Sequence, residues 1–443
     1  MGYAQYKELD NSGVSWLQQK PSHWRMKRLK FSTDLINNKV SVEDSSSPYL
    51  GLEHIESWTG RKIDGEIINS EGLASSFTKG DILFGKLRPY LAKVHLAQQD
   101  GLISSEALVV RSKDELHARF LKYYMLSRDF INIVDSSTYG SKMPRASWDF
   151  IGNLLVLLPE VEEQKTIARF LDFKTAQIDS LIAKKKSLLG KLSERRTALI
   201  SHAVTKGLDP TVALKDSRVV WLGNVPAHWK VIPIKFSLDM PITDGPHSTP
   251  QFYDDGIPFI SAESVKNDRL DFSRMRGYIS EDDHAIFSKK YKPKYGDVYM
   301  VKSGATTGAV ARVETHDDFN IWSPLAVLRP HAEKSITDYL FYVLKSKPFF
   351  YSVELSWSYG TQQNIGMGVI SNIRMALPPV EEQQQICRYL EPLLEKIADQ
   401  RAKVDAVVER LQEYRAALIT NAVTGKIDVR GFDIPKPAEE IAS

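Results

Sequence analysis

The chain has 443 residues, 42% hydrophobic and 26% charged, which allows two to four globular domains of ordinary soluble composition. Lysine and arginine (58) exceed aspartate and glutamate (55) by three, a balance that permits nucleic-acid binding without arguing for it. The single cysteine, Cys387, excludes an internal disulfide and a cysteine-rich zinc site, and no run approaches the roughly 20 apolar residues of a membrane helix.

Met1 to Lys7 lacks the apolar core of a signal peptide, so the expected location is the cytoplasm, with no membrane contact. An entry segment then carries Ser12, Val14, Trp16, Leu17, Pro21, His23, Trp24, Lys30, Phe31 and Ser32. The same residue types return 205 positions later, at Ser217, Val219, Trp221, Leu222, Pro226, His228, Trp229, Lys235, Phe236 and Ser237. Such self-similarity marks a duplicated architecture. The two His-Trp pairs read as structural, because both copies keep them.

The first globular stretch closes a region spanning 1–158. Strands are expected at Ile82–Phe84, Ala107–Val110 and Leu154–Leu158, and a helix at Leu116–Leu126. Gly80-Asp81 reads as a turn into the first of these strands. Beyond it, Lys86, Arg88, Tyr90 and Lys93 place cations around an aromatic, a pattern suited to phosphates and guanine edges. An ordinary basic hairpin is the plainer reading of the same residues. Before the last strand, Tyr139, Ser141, Lys142 and Arg145 form a polar glycine loop about Gly140, again a candidate for DNA contact or a plain connector.

At Leu158-Pro159 the pattern turns helical, and 159–206 reads as one long helix. Glu162 and Glu163 suit the positive end of its dipole. Leu171, Ile178, Leu192 and Leu199 share a heptad position broken by Lys185, with Ile167, Leu181 and Leu188 as companions. Gly190 weakens this helix locally. The run Lys184 to Lys186 reads as a solvated face, with phosphate contact as the alternative.

A connector, 207–226, leads to a second globular region, 227–377. Strands are expected at Val298–Val301, Val310–Val313, Ala326–Leu328 and Met375–Leu377, and a helix at Ile336–Lys345. Thr243, His247 and Ser248 lie in a turn-rich loop; one histidine beside Asp244 is not a metal site, and DNA contact or turn structure are the readings left open. Where the first copy has its basic loop, the second has Lys302, Ser303, Thr306 and Thr307 with glycines that allow close backbone approach. Tyr359, Thr361, Gln362, Gln363 and Asn364 match the first glycine loop in position but not in chemistry; glutamine and asparagine suit adenine, lysine and arginine suit guanine.

Leu377-Pro378, Val380-Glu381-Glu382-Gln383, Ile386, Arg388 and Leu390 repeat Leu158-Pro159, Val161-Glu162-Glu163-Gln164, Ile167, Arg169 and Leu171 at an offset of 219. So do Arg415, Ala417 to Ile419 and Ala422-Val423-Thr424 for Arg196, Ala198 to Ile200 and Ala203-Val204-Thr205. The second helix, 378–424, has an unbroken heptad column at Leu390, Ile397, Val404, Leu411 and Leu418, with Ile386, Leu393, Val407 and Tyr414 beside it. Each helix spans about 40 residues, roughly 60 Å, and each is the natural antiparallel coiled-coil partner of the other. A tail, 425–443, is expected to be partly disordered. Cys387 falls among apolar positions and reads as a buried structural thiol. The fold class is α+β: two mixed α/β units, two long antiparallel coiled-coil helices and a pseudo-two-fold internal repeat.

Catalytic signatures are missing: there is no Gly-x-x-x-x-Gly-Lys-Ser/Thr loop, no glycine-rich dinucleotide or methyl-donor loop, and no Asn/Asp-Pro-Pro-Tyr/Phe tetrapeptide. Asp81 with Lys86 and Asp297 with Lys302 are nuclease-like fragments, but Phe84 and Met300 stand where the second acid belongs. No catalytic and no metal-binding residue is expected.

Several features in one order resemble the specificity subunit of type I restriction–modification systems. They are the paired Pro-x-His-Trp entries, the Gly-Asp-Ile/Val turns, the Leu-Pro-x-Val-Glu-Glu-Gln helix starts and the Ala-Val-Thr helix ends. The Asp244-Gly245-Pro246-His247 loop and Val301-Lys302-Ser303-Gly304-Ala305-Thr306 belong to the same resemblance. It covers nearly the whole chain. It implies a non-catalytic subunit in which each globular unit is a target-recognition domain for half of a split double-stranded DNA sequence. The helices then act as a spacer, two methyltransferase subunits dock, and restriction subunits join them. S-adenosylmethionine, ATP and magnesium belong to those partners, with no cofactor in this chain. A coiled-coil adaptor without DNA readout and a stand-alone DNA-modifying enzyme are the rival readings.

Overall fold

The computed structural model describes residues 3–14, 16–43, 45–65, 72–140, 142–355 and 364–433. Ser141, Tyr359, Thr361, Gln362 and Gln363 lie outside the described residues, as does 434–443 of the tail. The elements that position the site are β1 (Arg25–Arg28), β2 (Thr33–Ile36), β3 (Ile82–Gly85), β4 (Val94–Leu96), β5 (Ala107–Ser112), α1 (Ala118–Leu126), β6 (Leu155–Leu158) and α2 (Val161–Lys206). Their counterparts follow as β7 (Lys230–Pro233), β8 (Thr243–Asp244), β9 (Val298–Val301), β10 (Val310–Arg312), β11 (Leu325–Leu328), α3 (Thr337–Leu344), β12 (Arg374–Leu377) and α4 (Val380–Val423). Every strand and helix expected from the sequence is present, with ends displaced by a residue or two.

Two compact units result, residues 1–186 with 405–443, and 187–404. The first holds an antiparallel sheet in the order β2-β5-β3-β4, with Val110 opposite Ile82 and Ala107 opposite Gly85. The second holds the same sheet, β8-β11-β9-β10, with Val298 opposite Leu328 and Val301 opposite Leu325. β3 and β9 are wholly buried runs, as short continuous apolar strands should be. A two-stranded pair fastens each entry segment to the strand before the long helix, β1 to β6 and β7 to β12. Among the described residues the subsidiary sheets differ: four strands in the first unit, three in the second.

The duplicated residues act as fasteners. Gln164 is fully buried; its amide donates to the carbonyls of Pro159 (2.9 Å) and Glu115 (2.9 Å) and accepts from His117 N (2.8 Å). Gln383 does the same to Pro378 (2.9 Å), Lys334 (2.8 Å) and Ile336 N (3.0 Å). Glu163 accepts from His23 (2.9 Å), Trp24 (3.2 Å) and Tyr6 (2.7 Å); Glu382 pairs with His228 at 2.8 Å. Trp24 and Trp229 are core residues, which is why both copies keep the His-Trp pair. The glycine-aspartate turns are ion-paired: Asp81 with Arg111 (2.7 and 2.8 Å) and Asp297 with Arg329 (2.7 and 2.8 Å).

α2 and α4 run unbroken for 46 and 44 residues, about 69 and 66 Å at 1.5 Å per residue. In the first unit, Ile167, Leu171 and Ile178 of α2 share a core with Leu418, Ile419, Ala422 and Val423 of α4, and Asp179 pairs with Arg415 at 2.9 Å. In the second, Ile200, Ala203 and Val204 of α2 share a core with Ile386, Cys387 and Leu390 of α4. Leu192 and Ile397 are buried as well, while Leu199, Val404 and Leu411 are half-buried. The companion column differs from expectation: Leu181, Leu188, Val407 and Tyr414 are exposed. Leu181, Leu188 and Val407 lie toward the helix middles, away from the ends that the globular cores cover; Tyr414 lies nearer the end of α4, on its solvent side beside Tyr3. Lys184 and Lys186 are exposed, in keeping with a solvated face. Within the tail, Phe432 packs on Phe170 with centroids 4.9 Å apart. Among the described residues no helix is long and apolar enough to cross a membrane.

Burial pushes the Cys387 thiol up to about 12, with Asp338 adding to the effect. It should resist maleimide labelling in the native chain at pH 8 and label stoichiometrically in guanidinium. Gly190 is an exposed helical residue with open space where a Cβ would sit. Gly190→Ala should therefore stabilise the chain by about 0.5–1 kcal/mol, read as a higher urea midpoint.

Candidate nucleic-acid interface

In the first unit β3 delivers the chain into the loop of residues 86–93. Lys86 N donates to Glu106 O (2.9 Å), Arg88 N to Pro144 O (2.8 Å) and Ala146 N to Lys86 O (3.0 Å). These bonds tie the loop to residues 139–146, whose ends close on each other through Tyr139 and Arg145. Arg88 adopts φ +51, a left-handed conformation that costs a non-glycine residue of order 1 kcal/mol and that the two flanking bonds hold in place. The result is a loop-built end of the sheet where Arg88, Tyr90, Tyr139 and Lys142 are exposed.

Two of the expected cations are already engaged. Lys93 is half-buried and donates to Leu52 O at 2.6 Å; burial pushes its pKa down, opposed by Glu53. Arg145 holds Glu106 in a two-pronged pair (2.9 and 3.1 Å). A residue with no local sequence signal joins this end: Lys39, whose pKa burial lowers, with repulsion from Lys86 adding to it.

The second unit repeats the junction. Lys302 N donates to Pro324 O (2.8 Å), Ile365 N to Lys302 O (2.7 Å), and Ser303 bridges Asn364 as Leu87 bridges Arg145. Its chemistry is different. Asp244 is a buried carboxylate reached by Lys290 (2.5 Å), Lys302 (3.2 Å) and His247 (3.2 Å). Burial acts to raise the Asp244 pKa, but the hydrogen bonds and charges of the two lysines outweigh it and hold the carboxyl below its ordinary range. A Cβ on Gly245 would lie 1.9 Å from Ile321 O, so only glycine fits the loop there. Thr243 is half-buried, His247, Ser248, Thr306 and Asn364 are exposed, and Thr307 Oγ1 donates to Gly304 O (2.6 Å).

Among the described residues no group of three or more His, Cys, Asp or Glu is placed to hold a metal ion. What the geometry offers is two copies of one scaffold, each ending in polar, cation-bearing loops of different composition. That is the architecture of a duplicated recognition protein. The family model described as "Type I restriction modification DNA specificity domain" matches residues 27–189 and 241–410, and the chain belongs to this family. It is similar to the specificity subunit of the type I restriction enzyme MjaVIII from Methanocaldococcus jannaschii, at 23% identity over 93% of this chain and 95% of that one. The EcoDI specificity subunit from Escherichia coli matches at 26% over 41% of this chain and 42% of its own. A chain solved in work on complex assembly and conformational transition of the type I R-M system superposes with a TM-score of 0.65 at 20% identity, covering 92% of this chain and 99% of that chain.

The Asp244 hub has a defined pH signature. Its lowered folded-state pKa contributes stability that is full above the unfolded value of about 3.9 and is lost as pH falls through the folded value. Asp244→Ala should cost about 2–4 kcal/mol at pH 7, since it leaves Lys290 and Lys302 without their shared counter-ion. The difference between variant and wild type should shrink below about pH 4, measured by urea denaturation across pH.

Proposed function

We propose that the chain reads a split double-stranded DNA target, one half-site per globular unit, as the non-catalytic specificity subunit of a cytoplasmic type I restriction–modification complex. The observation that carries this reading is the shared junction with divergent contents. Leu87 meets Arg145 in one unit and Ser303 meets Asn364 in the other, on the same sheet with the same fasteners. A common frame with different exposed donors is what two different half-sites require. In the first unit Lys86, Arg88, Tyr90, Tyr139 and Lys142 are the proposed contacts. In the second they are Thr243, His247, Ser248, Lys302, Ser303, Thr306, Thr307 and Asn364. The long helices set the unread gap between half-sites. Two methyltransferase subunits and the restriction subunits assemble on the chain and bring S-adenosylmethionine, ATP and magnesium.

Methylation mapping of the complex tests both parts. Arg88→Ala should weaken binding by about 1–3 kcal/mol and relax one half-site while the other stays strict. Four residues inserted at equivalent points of both helices should lengthen the gap and leave both half-sites unchanged. Equal relaxation of both half-sites, or an unchanged gap, would refute the corresponding part. Absence of any sequence preference would instead favour an adaptor.

A further inference from the structure

Both entry segments carry a residue that the fold does not explain. A lysine-phenylalanine-serine triplet follows β1 and β7, as Lys30-Phe31-Ser32 and Lys235-Phe236-Ser237. Burial accounts for the serines: Ser32 donates to Glu115 (2.9 Å) and Ser237 to Ile234 O (2.7 Å). It does not account for the phenylalanines, which are 60% and 55% exposed. One exposed phenylalanine needs no explanation. The same one at the same place in both copies, on a chain whose surface loops have otherwise diverged, does.

The surroundings repeat as well. The Lys30 ammonium lies 5.5 Å from the Phe31 ring and that of Lys235 lies 5.3 Å from Phe236. Asn153 accepts from Arg28 (3.4 Å) and its counterpart Asn372 accepts from Lys235 (2.8 Å). In the second unit Phe236 borders a groove of about 450 Å3 walled by Leu238, Met240, Ile242 and Met367. Each phenylalanine sits away from the end of the sheet that leads into Lys86 or Lys302, although the second groove extends to Ile242, next to Thr243. Thr33, next to Ser32, pairs with Ser112, while Gly85, which leads into the basic loop, pairs with Ala107. The patch and the loop thus sit at opposite ends of β5, roughly 17 Å apart along the strand. In the second unit Ser237 O accepts from His331 N beyond one end of β11, and Val301 pairs with Leu325 at the other.

We propose that this patch, present once in each unit, is the docking surface for a protein that joins the chain in two copies. Each copy presents an apolar socket for the phenylalanine with carboxylates on its rim. Two equivalent patches call for two equivalent partners. Lys30 beside one ring and Lys235 beside the other set the sign at each phenylalanine, with Asp239 the one acid of the second groove's wall. An exposed aromatic that becomes buried is the usual energetic centre of an interface. The proposal rests on the reading that partner subunits assemble on this chain, and it narrows where they do so.

The test mixes the full-length chain with the purified methyltransferase subunit of its own system and reads stoichiometry by light scattering after size exclusion. Wild type should bind two copies, Phe31→Asp or Phe236→Asp one, and the double variant none, with an affinity loss of at least about 30-fold per site. Phe→Leu at both sites should retain binding within about tenfold. Lys30→Glu and Lys235→Glu should weaken it in the same direction, and they serve if an aspartate variant fails to fold. Two copies on a folded double variant would overturn the patch. No copy on the wild-type chain would overturn the assembly reading itself. Self-association of the chain alone, lost in the double variant, would reassign the patch to a second copy and overturn the proposal.

Discussion

One buried side-chain amide per unit holds the architecture together. Gln164 ties the start of its long helix to the end of β6 and to the segment entering α1; Gln383 does the same beside β12 and α3. Each amide satisfies three backbone groups away from water, where an unsatisfied group costs about 1–3 kcal/mol. The direction in which a helix of about 69 Å leaves its domain is therefore fixed at its first turn. With the exit direction set, the apolar stripe of the helix is committed to a particular core, and the entry strand is clamped against the same place through Trp24 or Trp229.

Much of this frame was legible in the sequence, and the reason is local. Buried strands such as Ile82–Gly85 and Val298–Val301 announce themselves as short apolar runs, and Leu-Pro followed by Val-Glu-Glu-Gln announces a helix start. What escaped depends on long-range partners. Glu106 captures Arg145 from 39 positions away, and Asp244 collects Lys290 from 46. No spacing rule reports such pairs. The exposed Leu181, Leu188, Val407 and Tyr414 make the same point from the other side: a heptad column marks a face able to be buried, and the tertiary fold decides how much of it is.

The two units also show how one scaffold supports different chemistry. In the first, Arg88 and Lys142 are exposed and the left-handed turn at Arg88 projects the loop. In the second, the cations are gathered around one carboxylate, leaving hydroxyls, an imidazole and an amide at the surface. The sheet order is the same in both, so the difference resides in loops whose junctions share backbone bonds while their side-chain pairs differ. Loops held that way tolerate replacement of their exposed residues, because the fixing bonds do not depend on residue type.

The partition of the chain has a consequence for its synthesis. The second unit is continuous, residues 187–404, whereas the first needs residues from 405 onward to complete its core with Leu418, Ile419, Ala422 and Val423. At about 5–20 residues per second, the N-terminal globular region waits tens of seconds on the ribosome for those residues. The usual order, N-terminal domain first, is inverted: the interior unit is complete at residue 404, and the first-made part finishes last. During that interval the core around Ile167, Leu171 and Ile178 lacks the residues α4 contributes, which makes the nascent chain, rather than the finished protein, the species most exposed to aggregation.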